Sequence, residues 1–160
     1  MTQAHLFTVD GYWQRVRRTD PRARRLADRH YSRQTPGAAE FMASGRTLVL
    51  LAELSGAFAV WGAIENLDPV GNRRWRCSIF RNETLILSSA LIEEATERTY
   101  AFWLRHYSGL PSVPLTTEVD PERVLRKRDP GRCFRRAGWT VRGIVRGLVV
   151  LQAPELRGAA

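Results

Sequence analysis

Lysine is almost missing from this chain: among 160 residues only Lys127 carries an ammonium, so its positive charge is arginine charge. A guanidinium offers a planar fork of N–H donors that fits phosphate and other planar anions. Cysteine is equally scarce. Cys77 and Cys133 stand far apart, with no CxxC pair and no Cys/His ligand spacing, which argues against a zinc site. A chain of this length removes roughly 70% of its unfolded surface from water, so it needs neither disulfide nor metal to fold. No apolar run is long enough to span a bilayer: the longest apolar region, Leu48 to Ile64, is broken by Glu53, Ser55 and Gly56 and reads as two strands around a turn. There is no internal repeat and no low-complexity linker. The opening MTQAHLFTVD lacks a basic stretch followed by an apolar one, so the expected location is cytoplasmic, away from membranes.

What is present is a charge imbalance. Lys+Arg 25 against Asp+Glu 16 gives +9, in a chain whose 44% hydrophobic content is that of a folded soluble protein. The stretch from Arg15 to Arg33 carries +6 and that from Glu122 to Arg136 carries +5, leaving −2 for the remainder. The positive field therefore comes from two segments. They suit a polyanionic partner such as DNA; a solvated basic face accounts for the charge equally well on composition alone.

Periodicity and punctuation predict the elements. His5 to Val9 reads as a short strand, and Asp20 as the N-cap of a helix with Pro21 at its first position. That helix runs through Ala23, Leu26 and Ala27 to about Tyr31 and stops before the turn at Thr35 to Gly37. Thr47 to Leu54 and Phe58 to Ile64 form a hairpin, and Trp75 to Arg81 a third strand with Trp75, Cys77 and Ile79 on one face. Ser88 and Ser89 precede a helix marked by Leu91, Ile92, Ala95, Thr99, Phe102 and Trp103, with Glu93 and Glu94 in its first turn. Pro114 to Val119 reads as a strand, GRCFRRAG as a short helix with a glycine C-cap, and Trp139 to Val145 and Leu148 to Gln152 as closing strands. Strand, helix, strand after an antiparallel meander requires a parallel crossover. The expected class is α+β: one domain over 1–152, built on a mixed, mostly antiparallel sheet with flanking helices, and a frayed tail at 153–160.

This order of elements resembles the GNAT N-acyltransferase fold, in which the sheet splays beside the central helix to form a cleft for the acyl donor. Four motifs sharpen the likeness: DRHYSR at Asp28 to Arg33, FRNE at Phe80 to Glu83, LSSALI at Leu87 to Ile92, and VDPERVLRKRDPGRCFRRAGW from Val119 to Trp139. Together they resemble the Mom-type DNA-modification proteins of phages, a divergent GNAT branch. The resemblance implies a transferase that adds a small acyl-derived group to the exocyclic amine of adenine in DNA. It also implies acetyl-CoA or a related acyl donor as the small-molecule partner. The pyrophosphate-binding turn of ordinary GNAT enzymes, Q/RxxGxG/A, is replaced here by ETLILSSALI, without glycine. The helix start at Ser88 and Ser89 still offers N–H groups and hydroxyls to an anion, although either serine also serves as an N-cap.

The resemblance makes His30, Tyr31, Ser32 and Asp120 the candidate catalytic residues. His30 suits a proton acceptor or a metal ligand, and a lone histidine is also commonly structural. Asp120 follows the splayed strand, where it would orient His30, join it and Tyr31 on a transition metal, or hydrogen-bond the base; Asp-Pro is equally an ordinary turn dipeptide. Arg81 suits either a carboxylate partner such as Asp120 or Glu83 or a donor anion held bidentately, with Asn82 and Glu83 as weaker candidates. Arg126, Lys127, Arg128, Arg132 and Arg135, with Arg123 and Arg136 beside them, are the candidates for DNA phosphates. Trp61, Trp75, Trp103 and Trp139 fall at core positions; Tyr31, Phe41 and Trp13 fall at loop margins, where an aromatic would stack on an extruded base. Two other functions fit: an acetyl or aminoacyl transferase acting on a small molecule or protein, and a basic DNA-binding module without catalysis.

Overall fold

The computed structural model describes residues 11–30, 41–122 and 129–156. Among them seven strands form one sheet, flanked by three helices. The strands are β1 (Trp13–Val16), β2 (Arg46–Leu54), β3 (Ala57–Leu67), β4 (Arg73–Asn82), β5 (Leu115–Val119), β6 (Thr140–Val145) and β7 (Leu148–Gln152). The helices are α1 (Pro21–Asp28), α2 (Ser88–His106) and α3 (Arg132–Arg136). The strand order is β1-β2-β3-β4-β5-β7-β6, all antiparallel except the β4–β5 pair, so the sheet is mixed, mostly antiparallel and not closed into a barrel. The expected strand at His5 to Val9 lies outside the described residues.

Local chemistry accounts for the elements. Asp20 caps α1, its carboxylate accepting from the backbone N–H of Arg22 at 2.8 Å and of Ala23 at 3.4 Å, with Pro21 supplying a helix-ready φ. Ser55 and Gly56 both take positive φ, 52° and 80°, which is what a two-residue hairpin turn needs to match the strand twist; Arg146 and Gly147 repeat the arrangement between β6 and β7.

Two apolar clusters lie on the two faces of the sheet. One packs α2, with its Trp103, and α3 against Trp13, Trp61, Trp75 and Trp139; the other packs Ala23, Leu26 and Ala27 of α1 against Val49, Val60 and Ile79. The indole N–H groups are mostly satisfied: Trp61 donates to Thr99 Oγ1 at 3.0 Å, Trp103 to Glu65 Oε1 at 2.7 Å, and Trp139 to Thr96 Oγ1 at 3.1 Å. Trp13, expected at a loop margin, is 2% exposed and donates to the Leu91 carbonyl at 2.8 Å. It is a core residue at the start of β1 and is not placed to stack on a base. Phe41 is half-buried against the α1 cluster.

The expectation that Trp75, Cys77 and Ile79 share a face fails at a bulge. Opposite β4 the register jumps from Ala63↔Cys77 to Gly62↔Ile79, leaving Ser78 as an extra residue. The side-chain alternation reverses there, so Trp75 and Cys77 pack with α2 while Ile79 packs with α1. The acidic first turn expected of α2 is also absent. Glu94 instead reaches the edge strand, accepting from the backbone N–H groups of Tyr12 and Trp13 at 3.0 Å. Gly11 makes room for it: a Cβ there would lie 2.3 Å from Glu94 Oε1, and its φ is +58°.

After β7 the backbone stays attached. Ala153 N–H donates to the Leu115 carbonyl at 2.9 Å and Tyr100 Oη donates to the Pro154 carbonyl at 2.7 Å, within the stretch expected to fray. No helix among the described residues is long and apolar enough to cross a membrane.

Candidate functional site

β4 and β5 pair over three residues only, Trp75↔Leu115, Arg76↔Thr116 and Cys77↔Thr117. At the last pair the Thr117 hydroxyl donates to the Cys77 carbonyl at 3.0 Å. Beyond it β4 bulges at Ser78 and runs on to Asn82, while β5 runs to Val119 without pairing to it. A cavity of about 850 Å³ opens at this point, lined by both strand ends, the start of α2, the end of α1 and one side of α3. Phe80 and Phe134 give it an apolar surface; they meet edge-on at 6.0 Å and both pack on Trp61.

The polar wall is built by the reversal at the bulge. Counting on from Ile79, Arg81 falls on the α1 face, where α1 delivers Arg29 and His30. Arg81 donates through Nη1 to the Arg29 carbonyl at 3.0 Å and through Nε to Glu83 Oε2 at 2.7 Å. Arg29 grips the same carboxylate with both arms, at 2.8 and 2.7 Å. Glu83 is thereby held ionised, its carboxyl lowered to about 2 by Arg29 first and by Arg81 with it. His30 lines the cavity beside Arg81. Burial, and then the Arg81 charge, lower its imidazole to about 4, so the ring is neutral at pH 7.

Ser88 and Ser89 line the cavity at the first turn of α2, but neither is its cap. Leu87 holds that position, and the Ser88 hydroxyl accepts from Asn82 Nδ2 at 3.0 Å. From the second basic segment Arg132 and Arg136 face the cavity, whereas Arg135 pairs with Asp129. The acidic residues in the lining are partnered from outside it, Asp129 by Arg135 and Glu118 by Arg74. Four guanidinium groups line it: Arg29 and Arg81, which share the Glu83 carboxylate, and Arg132 and Arg136, from a segment a hundred residues away from Arg29 in sequence.

Comparison with protein-family models, curated proteins and solved structures gives no match. The site stands on its own geometry.

Of the residues singled out from sequence, His30, Arg81, Asn82, Ser88, Ser89, Arg132 and Arg136 are brought to one cavity. Asp120 lies just beyond the last lining residue of β5, and its Oδ1 accepts from the backbone N–H of Glu122 at 3.0 Å, the bond of an Asx turn. Tyr31, Ser32, Arg123, Arg126, Lys127 and Arg128 lie outside the described residues. The expected transition metal on His30 and Asp120 is corrected: no group of three or more His, Cys, Asp or Glu that would hold a metal occurs among the described residues. The cation beside His30 is the Arg81 guanidinium, which repels a second positive charge. Arg29 sits within DRHYSR, but its role depends on Glu83, 54 residues on, which no local pattern announces.

Proposed function

We propose that this chain is a DNA-modifying transferase with a GNAT-like splayed cleft, which adds a small acyl-derived group to the exocyclic amine of adenine. One observation carries the reading. A neutral imidazole, an anchored arginine, a helix start and arginines from both basic segments converge on one cleft where the parallel strands part. In an open sheet that is where a ligand binds.

The residues divide the work. Arg132 and Arg136 hold DNA phosphates, and the exposed N–H groups at the start of α2 together with Arg81 hold an anionic part of the donor. As the amine nitrogen bonds to the acyl carbon and the donor's carrier leaves with the electron pair of the broken bond, His30, unprotonated at pH 7, accepts the proton that the amine loses. The imidazole's basicity is lowered first by burial and then by the Arg81 charge, so an anion docked on Arg81 offsets only the second of these causes.

Nucleoside mass spectrometry of DNA from expressing cells tests this. A new deoxyadenosine derivative with the wild type, lost in His30→Ala at unchanged thermal stability, is expected. Unmodified DNA, or modification that survives His30→Ala, overturns the assignment.

A further inference from the structure

The turn between β4 and α2 holds a leucine in a place that folding does not explain. Leu85 is 99% exposed, and Leu87, two residues on, is 64% exposed and lines the cavity. Leucine alone at a loop tip gains nothing from burial in the folded state. The loop beneath it is nonetheless tightly braced. Asn82 Nδ2 donates to the Ile86 carbonyl at 2.7 Å and to Ser88 Oγ at 3.0 Å, while Asn82 Oδ1 accepts from the Thr84 N–H at 2.9 Å and the Thr84 hydroxyl at 2.6 Å. The Ile86 N–H then donates to Thr84 Oγ1 at 3.1 Å. Five hydrogen bonds fix a five-residue turn whose apex is an apolar side chain standing in water.

Its surroundings say what it meets. The turn begins at Glu83, directly after Arg81 and Asn82, and ends at the cleft's own helix; Asn82 before the apex and Leu87 after it both line the cavity, so the apex stands at the rim of a cavity lined by four arginines. A polyanion drawn to that rim brings its bases against Leu85. The cavity, about 850 Å³, lies within the roughly 300–1,000 Å³ range of sites that enclose a small molecule, room enough for one extruded base. Chemistry on an exocyclic amine in a duplex requires extrusion, and apolar side chains on rigid supports are the means by which proteins part stacked base pairs.

We propose that Leu85 is a wedge that enters the duplex and fills the gap left when the target adenine swings into the cleft. This rests on the DNA-modifying reading, and makes double-stranded DNA the substrate. Leu85 is a positioning residue: it acts through the stack and touches no reacting atom.

The test compares wild type, Leu85→Ala and Leu85→Met on duplex and single-stranded oligonucleotides of one sequence, scoring modified deoxyadenosine. The same proteins are added to duplexes in which each adenine in turn is replaced by fluorescent 2-aminopurine. The wedge predicts that Leu85→Ala loses at least about tenfold on duplex and less than about twofold on single strands, whose bases need no extrusion, with Leu85→Met restoring most of the loss. It also predicts that 2-aminopurine brightens with wild type and not with Leu85→Ala. Equal losses on both substrates would place Leu85 against the donor and overturn the wedge, as would no loss on either. Brightening without any modified nucleoside would overturn the transferase reading and keep the wedge; modification without brightening would do the reverse. Because Leu85 buries nothing, the variants fold.

Discussion

At the scale of single residues, the cleft is defined by one depressed imidazole and one shared carboxylate. The lowered His30 value sets a sign for stability against pH. The unfolded chain takes up a proton near pH 6.5 and the folded one only near 4, so stability is complete above about 6.5 and falls as pH drops through that window. Thermal melts of the wild type should decline between pH 6.5 and 4, and His30→Gln should flatten that part of the profile; parallel profiles would contradict the assigned burial. Glu83 acts by holding two arginines at once. Glu83→Gln loses two charge-assisted grips, one of them bidentate, and exposed pairs contribute about 0–1 kcal/mol each to stability. Stability should fall by no more than about 2 kcal/mol while activity collapses, because both arginines lose their anchor, and a larger stability loss would mean that the Arg29–Glu83–Arg81 group is mainly a structural clamp.

At the scale of elements, the bulge at Ser78 decides which side chains reach the cleft. Its partner Gly62 is closely enclosed: a Cβ there would lie 2.7 Å from Ile79 Cγ2 and 2.8 Å from Met42 Sδ. Gly62→Ala should cost about 1–3 kcal/mol in chemical denaturation through overpacking and should also weaken modification, because relief of the clash moves β4 and Arg81 with it. A variant as stable and active as the wild type would show that the strand yields elsewhere. Most elements were legible in the sequence because each has a local signal: Asp20-Pro21 for α1, Ser55-Gly56 for the first hairpin, the helical spacing of Leu91, Ala95 and Thr99 for α2. β1 was not, since Trp13 is its single buried residue and Gln14, Arg15 and Val16 give no alternation. The bulge was not, because a register slip depends on the partner strand. A serine cap does not form, because Leu87 takes the cap position and the Ser88 hydroxyl is engaged by Asn82, six residues back. Within the site, His30, Arg81 and the α2 start were legible through motifs; the grip of Arg29 on Glu83 is purely tertiary.

At the scale of the whole molecule, charges scattered along the chain converge. Much of the first basic segment is already engaged: Arg15 stacks over Phe102 at 4.7 Å, Arg22 pairs with Asp20 and Arg29 with Glu83. Asp20 is already counted in the segment total of +6 and stacking leaves the Arg15 charge in place, so of these contacts it is the Arg29–Glu83 pair, with its carboxylate outside the segment, that lowers what a polyanion meets. Arg132 and Arg136 face the cleft, so replacing both by alanine should weaken DNA binding across all sequences and reduce the salt slope of log K by about two. Fluorescence titration at several salt concentrations reads this directly, and an unchanged slope would move the DNA path off α3. The same parting of β4 from β5 that makes the cleft also divides the sheet. Three residue pairs, drawn from segments 40 residues apart, are the sheet's whole main-chain seam between β1–β4 and β5–β7. The outer hairpin adds little cover, because every β6 residue is exposed or half-buried. The sheet should then open as two cooperative units of unequal strength, with amides of β6 and β7 exchanging with deuterium well before those of β2 and β3. The cleft would lie along the seam between a slow half and a fast one, and a ligand that bridges Arg81 and Arg132 would slow exchange in the C-terminal half.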